Sequence, residues 1–141
     1  MATLEDAIAL AVEAHRGQRE KAGQPYVLHA LRVMFRVDTD AERIVAVLHD
    51  VVEDTGRSFD DLRKMGYSEE VLAALDCVTK REGEAYEQFV DRAAANPIAR
   101  RVKLADLEDN MDIRRLLTVG ESDAKRLAKY VAAYRRLKGL A

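Results

Sequence analysis

Ile44-Val45-Ala46-Val47-Leu48-His49-Asp50-Val51-Val52-Glu53-Asp54 is the stretch from which the fold of this chain is read. A helix near 40–52 would be apolar on almost every side through Ile44, Val45, Val47, Leu48, Val51 and Val52, so it should be central. The same run ends in one histidine and three carboxylates. On a helix, Glu53 lies four residues from His49 and three from Asp50, and Asp54 lies four from Asp50, which gathers the polar groups on one side. Like charges at that spacing repel, and a helix C-terminus already carries partial negative charge, so a positive partner is expected. A solvated helix end is the ordinary explanation of an acidic cluster. Here Val47, Leu48, Val51 and Val52 limit access of water, and buried carboxylates persist when paired or metal-bound. A divalent cation is the simplest partner for the adjacent His49 and Asp50, with further ligands drawn from elsewhere.

The surrounding sequence has the vocabulary of helices. Pro25 and Pro97 are the only prolines, and Ala, Leu, Arg, Glu and Lys dominate, so the expected class is all-α. Thr3 with Asp6 resembles a capping box ahead of a helix over 4–16. Residues 17–25 read as a loop. Val27, Leu28, Leu31, Val33, Met34 and Val37 make a second helix, which Asp38-Thr39-Asp40 stops while capping the next. Ser58 with Asp61 caps a short helix ending at Gly66, and Ser68 starts one through Val71, Leu72, Leu75 and Val78. An amphipathic segment from Glu84 to about Ala95, a long helix over 97–113 opened by Asn96-Pro97, and a last helix over 123–138 complete the chain.

With 141 residues, the expectation is a single domain over 1–141. A balance of 23 Lys+Arg against 25 Asp+Glu gives a net charge of -2, which argues against a broad nucleic-acid face. The longest stretch without charge, Ala22 to Leu31, is ten residues, far below the roughly 18–20 that a membrane span needs. The acidic start Met-Ala-Thr-Leu-Glu-Asp is unlike a secretory signal, and the single cysteine, Cys77, suits a reducing cytoplasm.

Two further residues are candidate ligands. His29 sits among Val27, Leu28 and Leu31, where a lone histidine is more often a hydrogen-bonded core residue; Asp106 lies within Val102-Lys103-Leu104-Ala105-Asp106-Leu107, with Asn110 one turn on. The order His29, His49-Asp50, Asp106 resembles the H…HD…D pattern of the HD-domain metal phosphohydrolases, an all-α superfamily. It is closer still to the hydrolase domain of RelA/SpoT-type alarmone enzymes and their small stand-alone relatives. His15-Arg16-Gly17-Gln18 and Lys21-Ala22-Gly23-Gln24-Pro25-Tyr26-Val27-Leu28-His29 look like the family's first motif, and Leu48 to Thr55 like its second. Val78-Thr79-Lys80 resembles the segment that follows, and Val102 to Asp106 with Asn110-Met111 the last.

The resemblance implies a compact multi-helix HD-domain bundle that removes pyrophosphate from the 3′ position of guanosine 3′,5′-bis(diphosphate) in the stringent response. It implies that His29, His49, Asp50 and Asp106 ligate one divalent metal. Their mixed nitrogen–oxygen set suits manganese, iron, zinc or cobalt, and the family favours manganese. Glu53 and Asp54 match the acidic pair that handles the attacking water and the leaving-group proton, and Asn110 matches a residue near ribose and phosphate. Lys21 is the first choice for phosphate binding, with Arg19 and Lys103 beside it, and Tyr26 and Tyr86 are placed to pack on a base or ribose. His15 is expected to support the first loop. The implied partner is a small nucleotide, with no nucleic-acid polymer and no membrane, and an oligomer is possible. The length leaves no room for synthetase and regulatory domains.

Two departures bear on the substrate. Glu20 stands where the alarmone enzymes usually carry an arginine able to stack on guanine, and Leu107-Glu108-Asp109-Asn110 replaces a more basic segment. Arginine at position 20 is therefore expected to raise activity toward the guanosine alarmone if the native substrate is another. A nucleotide phosphatase and a non-catalytic nucleotide-sensing module are the alternatives.

Overall fold

The computed structural model describes residues 1–139, and among these the expected all-α class is what is found. Nine α-helices and a 3-10 turn follow one another: α1 (Leu4–Ala14), α2 (Val27–Phe35), α3 (Asp40–Leu48), α4 (Val51–Thr55), α5 (Phe59–Lys64), α6 (Glu69–Cys77), α7 (Tyr86–Ala94), α8 (Pro97–Asn110), the turn Ile113–Arg115, and α9 (Glu121–Lys138). No helix among the described residues is long and apolar enough to cross a membrane.

The local chemistry behind the helix starts is simple. Thr3 with Asp6, Thr39 with Glu42 and Ser58 with Asp61 each form a capping box, and the Asn96 side chain accepts from the backbone N–H groups of Ile98 and Ala99 ahead of Pro97. Helix α3 is central, as its sequence requires. Val45, Ala46, Val47 and Leu48 are wholly buried, and α1, α2, α6 and α8 pack around it. Burial of each of these Val and Leu side chains contributes on the order of 1.5–3 kcal/mol. A smaller core of Val90, Leu107, Ala133 and Leu137 joins α7, α8 and α9.

One expectation fails at the position that matters most. The helix expected near 40–52 ends at Leu48, and a new one begins at Val51. His49 keeps helical angles, but Asp50 turns to φ -102, ψ -2, and the Ala46 carbonyl accepts from His49 twice, from its side-chain Nδ1 at 2.6 Å and from its backbone N–H, three residues on, at 3.4 Å. A helix end leaves such carbonyls without partners, so the break both consumes one and redirects the chain. Adjacent residues in an unbroken helix point about 100° apart; the break lets His49 and Asp50 face one point. Helix α4 then stops at Gly56, whose φ of +73 is open to glycine without strain. The first, second and eighth helices are also shorter than the periodicity suggested, and the last starts at Glu121.

Candidate metal centre and its rim

His29 from α2, His49 and Asp50 from the break after α3, and Asp106 from α8 converge. His29 Nε2 and His49 Nε2 lie 3.0 and 3.2 Å from Asp106 Oδ1, and 3.8 and 3.1 Å from Asp50 Oδ2. Both rings are almost fully buried, at 2% and 4% exposure. Ligand atoms of His29, His49 and Asp50 fall within 4.8 Å of one another, a spacing that can hold one ion.

The outer hydrogen bonds fix what the two rings present. His49 Nδ1 faces the Ala46 carbonyl and His29 Nδ1 faces Asp109 Oδ2, both at 2.6 Å. Carbonyl and carboxylate oxygens only accept, so each Nδ1 carries a proton and donates. Each Nε2 is left aimed at carboxylate oxygens, where a neutral ring would offer a lone pair against negative charge. Either a proton or a metal cation resolves that conflict, and carboxylate- or carbonyl-backed histidine is the usual outer arrangement of metal sites. The donor set therefore fits a divalent cation. In its absence, burial opposes protonation of His49, but the charges of Asp50 and Asp106 prevail and hold its pKa well above the usual value. Burial likewise raises Asp50, yet the facing imidazoliums bring it down to about 2.

A small cavity of about 60 Å³ opens beside this cluster, lined by His49, Asp50, Glu53, Phe89, Lys103 and Asp106 among others. Lys103 is buried, with Nζ 3.1 Å from Asp106 Oδ2 and 4.8 Å from the centre of the Phe89 ring. Glu53 stands exposed at the mouth and accepts the Lys80 N–H at 2.6 Å. Partial burial and the charges of Asp50 and Asp54 push its carboxyl pKa up against that hydrogen bond. Asp54, also exposed, accepts from Gln18 Nε2 at 3.1 Å. Asn110 donates to Asp106 Oδ1 at 3.2 Å and also lines a second cleft, of about 130 Å³, with Glu20, Lys21, Arg115, Asp123, Arg126 and Tyr130.

The remaining sequence candidates spread along this rim. Lys21 is exposed and paired with Asp123 of α9, while Arg19 is exposed beside it. Tyr26 is half-buried between His15 and His29, and its hydroxyl donates to Asp50 Oδ2 at 2.6 Å, which commits its polar end to a carboxylate of the cluster. Tyr86 lies under the ammoniums of Lys103 and Lys129. Arg100 and Arg101, close to Lys103 in sequence, are occupied elsewhere, by the Leu137 carbonyl and by Glu42.

Glu20, read from the sequence as a departure from the family's motif, is built into a charge network. Its side chain is only 7% exposed, and Oε1 accepts from Arg32 Nη2 at 2.6 Å and from Arg115 Nη2 at 2.8 Å. Arg32 also holds Asp109, at 2.8 Å, which holds His29. Glu20 is thus the far end of a charge chain behind His29. Arginine there would meet two guanidiniums, so the expected gain in activity is replaced by an expected loss of stability. Asp109, wholly buried, was noticed only as a departure from a motif; its position three residues after Asp106, on the same face of α8, was the signal available.

Together the helix break at the end of α3, the buried His/His/Asp/Asp cluster and the all-α fold define a helical domain of the HD class with a candidate metal site. No family sequence model matches the chain. It is 30% identical over 138 residues to the guanosine-3′,5′-bis(diphosphate) 3′-pyrophosphohydrolase of Aquifex aeolicus, covering 89% of this chain and 19% of that protein. It is 33% identical over 135 residues to the GTP pyrophosphokinase of Streptomyces coelicolor, covering 86% of this chain and 16% of that one. The chain thus spans less than a fifth of the length of either relative. A solved structure described as a metazoan ortholog of SpoT that hydrolyzes ppGpp superposes with a TM-score of 0.80 at 24% identity, covering 97% of this chain and 85% of that one. The chain belongs to the RelA/SpoT-type HD hydrolase domains.

Proposed function

We propose that this domain is a metal-dependent hydrolase that releases pyrophosphate from guanosine 3′,5′-bis(diphosphate). The observation that carries the reading is the pair of Nε2 atoms aimed at Asp50 and Asp106 with each Nδ1 already committed, which asks for a cation at that point. The similarity to a relative bearing that activity supplies the substrate.

His29, His49, Asp50 and Asp106 would hold the ion, with manganese as the metal. Such an ion polarises a phosphoryl oxygen and makes water more acidic. In the reaction, water oxygen bonds to the phosphorus carried by the 3′ oxygen, the bond from that phosphorus to the 3′ oxygen breaks, and the 3′ oxygen leaves with a proton. Glu53, at the cavity mouth, and Asp54, next to it on α4, would orient the water and move these protons; a carboxyl raised in pKa, as at Glu53, holds a proton more readily near neutrality. Lys103 would meet the phosphoryl charge from inside the cavity. Asn110 lines the rim cleft and donates to Asp106 of the inner cavity, which would suit a contact between ribose and phosphate. Lys21 and Arg19 would meet the outer phosphates, and Tyr26 would orient Asp50 while bordering the substrate.

The buried engagement of Glu20 favours a second reading in which the same centre acts on another nucleotide. We place the domain in the cytoplasm, as a single unit acting on small nucleotides and not on nucleic-acid polymers. Manganese-loaded protein incubated with the alarmone, scored for pyrophosphate against orthophosphate, tests the proposal. Pyrophosphate release that is absent from an Asp50→Ala control is expected. Orthophosphate from other nucleotides alone would replace the first reading by the second.

A further inference from the structure

The loop between α1 and α2 touches the break after α3 at two places. Tyr26 donates to Asp50 at its start, and Gln18 donates to Asp54 four residues on. The two donors are tied to each other by the Tyr26 N–H to Gln18 carbonyl bond at 2.9 Å. Behind Gln18 lies His15, only 2% exposed, with Nδ1 2.8 Å from Gln18 Oε1.

Donor and acceptor roles along this line are dictated by its end. A carboxylate can only accept, so the Gln18 amide must turn its NH₂ to Asp54 and its carbonyl to His15, and His15 must donate through Nδ1–H. His15 Nε2, the other ring nitrogen, is buried and has no hydrogen-bond partner among the described residues. A buried polar atom without a partner destabilises a fold, and a residue present only to fill space beside Tyr26 would be apolar. What the imidazole contributes that a phenyl ring would not is the proton on Nδ1. That proton gives the Gln18 amide one orientation.

We propose that His15 and Gln18 are positioning residues that hold the Asp54 carboxylate in its working orientation through a His15–Gln18–Asp54 hydrogen-bond line. This rests on the role given to Asp54 above. Their effect on turnover is placed at Asp54, the carboxylate that the Gln18 side chain holds.

Steady-state kinetics of the manganese-loaded protein test it. His15→Phe and Gln18→Glu are each expected to lower kcat about tenfold, the low end of what outer partners of such sites cost, with KM changed less than twofold. His15→Phe should melt no lower than wild type, because it removes the unpartnered nitrogen. His15→Asn, whose amide can place a donor near the Nδ1 position, should recover much of the rate. In an Asp54→Asn background, Gln18→Glu should have no further effect on kcat. Independently of turnover, the ¹⁵N spectrum of the His15 ring should show the Nδ1–H tautomer. Unchanged kcat in both single variants, an effect carried by KM, a loss of rate that tracks a lower melting temperature, or an Nε2–H tautomer would each overturn the proposal while leaving the hydrolase reading intact. No turnover of any nucleotide by the wild-type protein would take both.

Discussion

His29, His49, Asp50 and Asp106 are packed at the floor of the site with little exposure, whereas the rim cleft, lined by Lys21, Arg115, Asp123 and the buried Glu20 carboxylate, opens to water at Lys21. Both regions are dense in charge, and they settle it by different means. At the floor two carboxylates face two imidazoles whose outer nitrogens are fixed by Ala46 and Asp109, so one added divalent cation, or a proton on each ring, completes the balance. At the rim acids and bases are matched in pairs: Glu20 with Arg32 and Arg115, Lys21 with Asp123, Asp123 with Arg126. A floor built this way should depend steeply on its ion, and a rim built this way should tolerate the loss of a single member.

Removing a floor ligand should have the largest effect. His49→Ala deletes one imidazole and leaves Asp50 and Asp106 facing each other without it; elemental analysis should find the stoichiometric metal gone and pyrophosphate release at background. That loss should exceed the ~10–100-fold that deletion of an outer partner costs. Asp109→Asn tests the outer partner itself. It removes the carboxylate that fixes His29 Nδ1–H, so metal affinity measured by calorimetry should fall about 10–100-fold. A fall in nucleotide affinity with metal affinity intact would instead make Asp109 part of the rim.

Between floor and rim stands Glu20. Arginine there deletes the acceptor shared by Arg32 and Arg115 and adds a third guanidinium. Breaking a fully buried pair costs about 3–5 kcal/mol, and since Arg32 and Arg115 are 35% and 22% exposed, about 2 kcal/mol is expected in a denaturant titration. A Glu20→Arg protein of wild-type stability and higher alarmone activity would restore the simple motif-based expectation.

Glu20 also marks how far the sequence could be read. Helix class, the central place of α3 and the four residues that meet at the floor were legible because apolar periodicity and the H…HD…D order are properties of short, local stretches. The break at His49–Asp50 was not, since Val51 and Val52 continue the apolar pattern and the interrupting contact, His49 to the Ala46 carbonyl, is made by a side chain. The role of Glu20 was hidden for another reason. Its partners Arg32 and Arg115 are 12 and 95 residues away, and only folding joins them to Asp109 and His29. A motif compares residues at one position, while a charge network is defined by several distant ones.

The proton at the floor gives a pH signature. With its folded pKa raised, His49 contributes stability to the metal-free protein that is fully present below its ordinary 6.5 and lost as pH rises through the elevated value. Asp50, brought down to about 2, contributes stability present above its ordinary 3.8 and lost as pH falls toward 2. The metal-free melting temperature should therefore be highest between those limits and decline on the alkaline side. Manganese should raise it more at alkaline pH than at pH 6, because the ion must displace a proton there. Equal metal-induced shifts at both pH values would mean that the ion sits away from His49.

Lys21 should show the smallest effect on the fold and the clearest separation of fold from function. Its side chain is 55% exposed, and exposed ion pairs contribute roughly 0–1 kcal/mol, so Lys21→Met should leave stability within that margin despite the lost contact with Asp123. The same change removes a cation from the cleft that Asn110 shares with the floor. If the rim receives phosphate, KM for the alarmone should rise several-fold while kcat and bound metal stay near wild type. Asp123→Asn provides the opposing case: it frees Lys21 from its acid without removing the cation, so KM should stay level or fall. Should both variants raise KM equally, the pair would be acting as a strap between the first loop and α9, and the phosphate role would pass from Lys21 to Lys103 at the floor.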